Sequence, residues 1–186
     1  MDKTGIRLWW LPVGAGGHVV IHTSRWWERW RTLREGRSPR PLFHAALEIL
    51  VPDGRYAVEM APAWGPGAGG PGVVATGPVG FRALVRSRFF RYEVRCWRDG
   101  VIPDLAYAPE APVVFNLAAS DAAALLARVP QVPLRVWGAK MAGGDMWNSN
   151  SLVSWLLQTS NIDAAALSPP NGGRAPGWLA GIDAAG

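Results

Sequence analysis

"LFHAALEILVPDGRYAVEMAP", residues 42–62, reads as two strands folded back on each other around Pro52-Asp53-Gly54. Successive side chains of a strand point to opposite faces, so Ala45, Leu47, Ile49 and Val51 share one face, and His44, Ala46 and Glu48 share the other. The return strand sets Tyr56, Val58 and Met60 against Arg55, Ala57, Glu59 and Ala61. Matching the two apolar faces puts His44 and Glu59 on the same side of the sheet, because a one-residue slip would turn every side chain over. That side is lined by alanines, which admit another element closely, and it reads as a site-facing surface. A two-residue Asp53-Gly54 turn would pair His44 with Ala63, four positions beyond Glu59 and roughly 13 Å along the strand. A longer loop or a bulge near Pro52 is needed to bring the two side chains together.

Working outward, "FFRYEVRCWRDG" (89–100) reads as a further strand containing Cys96, and "HVVIHT" (18–23) as another after the turn "VGAGG". That turn lacks the Lys-Ser/Thr of a phosphate loop. "SRWWERWRTLREG" (24–36) has a Ser cap and places Trp26, Trp27, Trp30 and Leu33 at helical spacing among arginines. Its tryptophans either pack on the body of the protein or form an interfacial patch in peripheral membrane contact. "GPGAGGPG" (65–72) is a loop, "SDAAALLARVP" (120–130) a helix capped by Ser120 and stopped by Pro130, and "PLRVWG" (133–138) a short strand or extended lead-in. One domain is expected over 1–167, followed by a Pro/Gly-rich tail, 168–186, that wraps the surface or is partly mobile.

The chain has 186 residues, 49% of them hydrophobic and 18% charged, a balance that supports one folded core and excludes a disordered chain. The formal charge of +5 comes with no zinc-finger spacing and no aromatic RNP-like strand, so no nucleic-acid partner is expected. The one cysteine, Cys96, excludes an internal disulfide and a thiolate metal cluster. His18 and His22 lie four apart, a helical ligand spacing on what reads as a strand, so a metal site with His44 is not expected. No cofactor is expected either. The first residues, "MDKTGIRLWWLPVGAGG", do not read as a signal peptide, and no run of about 18 apolar residues predicts a membrane span. A cytoplasmic protein is expected.

"DMWNSNSLVSWLLQTSN" (145–161) puts two serines between asparagines at the start of an apolar helix over about 149–159. Two readings are open. Asn148 or Ser149 is a good N-cap. Alternatively, Ser149 is a nucleophile beside unpaired backbone N–H groups and the positive end of the helix dipole, where an oxyanion is also held. A serine there needs a base, usually a His oriented by a carboxylate or amide, and His44 with Glu59 offers such a pair. Ser151 is the second candidate nucleophile.

Together, "FHAALEILVPDGRYAVEMAP" and "WNSNSLVSWLL" resemble the circularly permuted papain-like group. It includes the lecithin:retinol acyltransferase-like enzymes, the PPPDE peptidases and permuted NlpC-type hydrolases. The likeness covers roughly residues 18 to 160 and is carried by these two motifs. "MWNSNS" (146–151) also resembles actinobacterial proteins with the same signature, which bring no activity with them. The resemblance implies an α+β papain-like fold, an antiparallel sheet packed against a nucleophile-bearing C-terminal helix. It implies a catalytic His on the first strand, matching His44, a third polar residue on the next strand, matching Glu59, and an Asn-Cys motif opening the helix, matching Asn148-Ser149. The departure is the serine. A thiolate is nucleophilic at neutral pH, whereas serine needs general-base catalysis, which suits a carboxylate at Glu59.

The expected activity is a hydrolase or acyltransferase acting on an ester, thioester or amide through an acyl-enzyme on Ser149. His44 would be the base and Glu59 its orienter. Trp147, Asn148 and Asn150 are expected to contact a small-molecule, lipid or peptide substrate, and Trp155 to line the acyl pocket or the core. The alternative is a catalytically inactive module that binds a lipid or peptide in the same groove.

Overall fold

The computed structural model describes residues 4–14, 40–64, 68–102 and 105–186. The segments read as a strand at 18–23 and a helix at 24–36, with His18, His22, Trp26, Trp27 and Trp30, lie outside the described residues. Six strands, β1 (Gly5–Pro12), β2 (Phe43–Val51), β3 (Gly54–Pro62), β4 (Val73–Pro78), β5 (Arg91–Arg98) and β6 (Val113–Asn116), form one sheet in the order β4-β5-β3-β2-β1-β6. Every neighbouring pair is antiparallel. Among the described residues three α-helices follow: α1 (Ala119–Arg128), α2 (Ser149–Thr159) and α3 (Trp178–Asp183). The fold is α+β, and among the described residues no helix is long and apolar enough to cross a membrane.

The alternation read in the hairpin sets the two faces of the sheet. Phe43, Ala45, Leu47, Ile49 and Val51 of β2 and Val58 and Met60 of β3 enter the main core with Ile6, Leu8 and Trp10 of β1. Onto that face pack Ala122 and Leu125 of α1, and Leu152, Leu156 and Leu157 of α2. The three α2 leucines are fully buried, each contributing about 1.5–3 kcal/mol of hydrophobic stabilisation. The opposite face carries a smaller cluster of Leu11, Ala46, Ala57 and Ile102.

The hairpin turn falls one residue earlier than a turn at Asp53-Gly54: Val51 pairs with Gly54, leaving Pro52 and Asp53 as the two turn residues. Proline suits this place because the turn asks no N–H of it. Tyr56 O–H donates to the Asp53 carboxylate at 3.1 Å.

Other expectations need correcting. α1 is capped at Ala118, with Ser120 inside its first turn, and Pro130 falls in a short 3-10 turn that ends the helix. Residues 133–138 form no strand, only an isolated bridge from Trp137 to Val79. Residues 168–186, read as a tail, pack onto the rest of the protein. Trp178 is buried with its indole N–H on Ala164 O at 2.8 Å, and Phe43 N–H donates to Arg174 O at 2.7 Å. A Cβ at Gly181 would come within 2.1 Å of Ser154 Oγ, so α3 lies directly on α2.

Candidate functional site

α2 begins as its sequence predicts. Asn148 is the N-cap, its Oδ1 accepting from Asn150 N–H at 2.9 Å, while Ser151 Oγ accepts from Asn148 N–H at 3.0 Å to complete a capping box. Ser149 is therefore the first helical residue.

What aims this residue is the end of a β ladder. Pairing between β2 and β3 stops at Leu47↔Val58. The next N–H on that side of β2, from Ala45, donates to Asn150 Oδ1 at 2.7 Å, and Asn150 Nδ2 donates to Phe43 O at 3.1 Å. A side-chain amide thus replaces the missing strand and pins the start of α2 to the edge of β2. The consequence is that Ser149 Oγ lies 3.0 Å from His44 Nδ1, across 105 residues of sequence. Both side chains are half-buried. Among the described residues, no hydrogen bond engages the Ser149 N–H, which stands in the first turn beside the positive end of the helix.

Glu59 lies just past the last β2–β3 pair. Continuing the observed register sets it opposite Ala46, two positions from His44, about 7 Å along the strand instead of the 13 Å of a turn one residue later. Its charged neighbour is Arg95, directly across on β5, with Nη1 4.0 Å from Glu59 Oε2. Burial pushes the Glu59 carboxyl above its ordinary range, and Arg95 pulls the other way. No hydrogen bond joins His44 to Glu59 among the described residues. The structure thus brings Ser149 and His44 together and leaves Glu59 on their side of the sheet, facing Arg95.

The remaining predicted site residues have structural duties. Trp147 is completely buried in the main core. Asn150 is buried with both amide atoms bonded to backbone, and Asn148 Nδ2 donates to Pro176 O at 2.8 Å. Asn148 and Asn150 therefore hold the helix start through their amides, while the Trp147 indole Nε1 is buried with no hydrogen-bond partner among the described residues. Ser151 is also fully buried, its O–H donating to Gly177 O at 2.7 Å, which removes it as a nucleophile. Trp155 belongs to the core. Burial pushes the Cys96 thiol up to about 11, so it stays protonated.

Two features had no sequence signal. Asp145 accepts from Gly177 N–H at 2.9 Å and Leu179 N–H at 3.2 Å, tying α3 to the approach to α2. Glu93 and Arg95, both buried, form an ion pair at 2.8 Å on the strand beside Glu59. Among the described residues no three His, Cys, Asp or Glu side chains gather as a metal site. An open cleft lined by Val51, Asp53 and Leu126 lies at the opposite end of β2 from His44. Comparison of the chain with known protein families, curated proteins and solved structures returns no match.

Proposed function

We propose that the protein is a hydrolase or acyltransferase of permuted papain-like type that forms an acyl-enzyme on Ser149. The observation that carries this reading is the 3.0 Å approach of Ser149 Oγ to His44 Nδ1 at a helix N-terminus. For Ser149 to donate, His44 must be neutral with its proton on Nε2, leaving the Nδ1 lone pair to accept. Ser149 Oγ then attacks a carbonyl carbon while its proton passes to Nδ1. The Ser149 N–H and the helix dipole stabilise the oxyanion as it forms. The imidazolium returns the proton to the leaving group, and water or an acceptor nucleophile releases the acyl group by the reverse sequence. Glu59 is assigned to favour the imidazolium form from the same sheet face. The substrate is an ester, thioester or amide.

Fluorophosphonate labelling, read by intact mass and peptide mapping, tests the reading. One adduct on Ser149, abolished by Ser149→Ala and slowed about 100- to 10,000-fold by His44→Ala, is expected for a serine that depends on a general base. Folded protein that takes no adduct would instead be a binding module with a vestigial nucleophile.

A further inference from the structure

The connection between β4 and β5 has a surface that catalysis at Ser149 does not use. Phe81 is 76% exposed, Phe89 59%, Leu84 44% and Phe90 37%. Large apolar side chains concentrated in ten residues exceed the scattered exposure of an ordinary surface. Interleaved with them, Arg82, Arg86 and Arg88 are also exposed, and none makes an ion pair among the described residues. The Arg88 guanidinium lies 5.3 Å from the centre of the Phe89 ring. No Asp or Glu occurs between Glu59 and Glu93.

Part of the backbone of this connection is bonded within itself. Leu84 N–H donates to Phe81 O at 3.0 Å, Ser87 N–H to Leu84 O at 2.9 Å, and Phe90 N–H to Ser87 O at 3.0 Å. Its base is closed by Val79 N–H on Phe90 O at 2.7 Å. Each of these internal bonds lowers the cost of bringing the segment into a medium poor in hydrogen-bonding partners.

We propose that residues 79–90 dock the protein on an anionic lipid surface, with Phe81, Leu84 and Phe89 inserted at the headgroup level and Arg82, Arg86 and Arg88 on lipid phosphates. A polyanion such as RNA would satisfy the arginines and leave the phenylalanines in water. A second copy would set arginines against arginines. A lipid interface answers both features. The location agrees: Pro62 pairs with Tyr92 and Pro78 with Arg91, so the connection projects from the end of the sheet where β2 begins with His44. Docking there turns the Ser149 end of the molecule toward the bilayer. The proposal stands on the loop alone, because its test measures binding and not turnover.

The experiment is co-sedimentation of the full chain with vesicles of phosphatidylcholine, alone and mixed with phosphatidylglycerol. Binding to the mixed vesicles, weakened by salt and much lower on phosphatidylcholine alone, is expected. Phe81→Ser/Phe89→Ser should lower partitioning at least about tenfold. Arg82→Gln, Arg86→Gln and Arg88→Gln should each lower it roughly fivefold. All these positions are exposed, so thermal midpoints should hold, and circular dichroism checks that the variants fold. The proposal is overturned if wild type ignores mixed vesicles, or if the phenylalanine variants bind like wild type. It is equally overturned if only Trp26→Ser/Trp27→Ser abolishes binding, if poly(U) binds and vesicles do not, or if Phe81→Ser/Phe89→Ser dissolves a dimer without changing lipid binding.

Discussion

Replacing Asn150 with leucine, a side chain of similar size and no polar atoms, isolates what its amide contributes. Three backbone groups bond to that amide: Ala45 N–H, Phe43 C=O and Pro176 C=O. Pro176 C=O keeps Asn148 Nδ2 at 2.8 Å, so two groups are orphaned. Each buried group left unsatisfied costs about 1–3 kcal/mol, giving a loss of roughly 2–6 kcal/mol. In a chain of this length each kcal/mol moves the midpoint by about 2–4 °C, so a loss near 4 kcal/mol lowers it by roughly 8–16 °C. Asn150→Asp should be worse at neutral pH, because it replaces the donor by an anionic oxygen facing two carbonyls, and should partly recover in acid. Thermal and urea unfolding measure both. Fluorophosphonate labelling below each midpoint then asks whether Ser149 still answers to His44, and a large fall in rate is expected in folded Asn150→Leu. Unfolding of Asn150→Leu within about 0.5 kcal/mol of wild type would refute the reasoning, since that is the scatter of inconsequential surface changes.

Three further outcomes are expected. Ser151→Ala removes the donor to Gly177 O and the acceptor of the capping box, and should cost about 1–3 kcal/mol in urea unfolding while Ser149 still labels; loss of labelling in folded protein would return Ser151 to candidacy. Burial raises the folded-state pKa of Glu59 above its ordinary 4.5, so the stabilisation tied to its proton is present below 4.5 and lost as pH rises through the raised value. Glu59→Gln should therefore melt higher than wild type at pH 7, with the gap closing as pH falls below 4.5, and a gap independent of pH would contradict this cause. Gly181→Ala should destabilise although alanine is the better helix former by about 1 kcal/mol, because its Cβ would meet Ser151 O at 2.2 Å; a rise in melting midpoint would show that α3 can move off α2.

The hairpin at 42–62 was legible because each of its strands has one apolar and one mixed face, and period two leaves only one way to bury them. β1 was missed for the opposite reason. Ile6, Leu8 and Trp10 enter one core while Leu11 enters the other, so "GIRLWWLP" shows little polar alternation. α3 read as tail because Gly181 and a six-residue span argue against a helix. It is held by groups remote in sequence, such as Asp145 at its first turn. At the site, the order of motifs pointed to the Ser149–His44 approach. The duties of Trp147, Asn150 and Ser151 were not readable, because a polar residue at a helix start looks the same whether it faces a ligand or a strand edge. Only the place where the β2–β3 ladder ends decides between them.

The ties between residues 174–178 and the two motifs impose an order in time. Arg174 O receives Phe43 N–H, Pro176 O holds the amides of Asn148 and Asn150, and Gly177 O holds Ser151. A ribosome therefore finishes the hairpin and α2 before the carbonyls that brace them exist. Until those carbonyls leave the exit tunnel, the nascent chain carries its nucleophile and its base on elements not yet clamped together, and the clamp closes only once residues 174–177 have emerged.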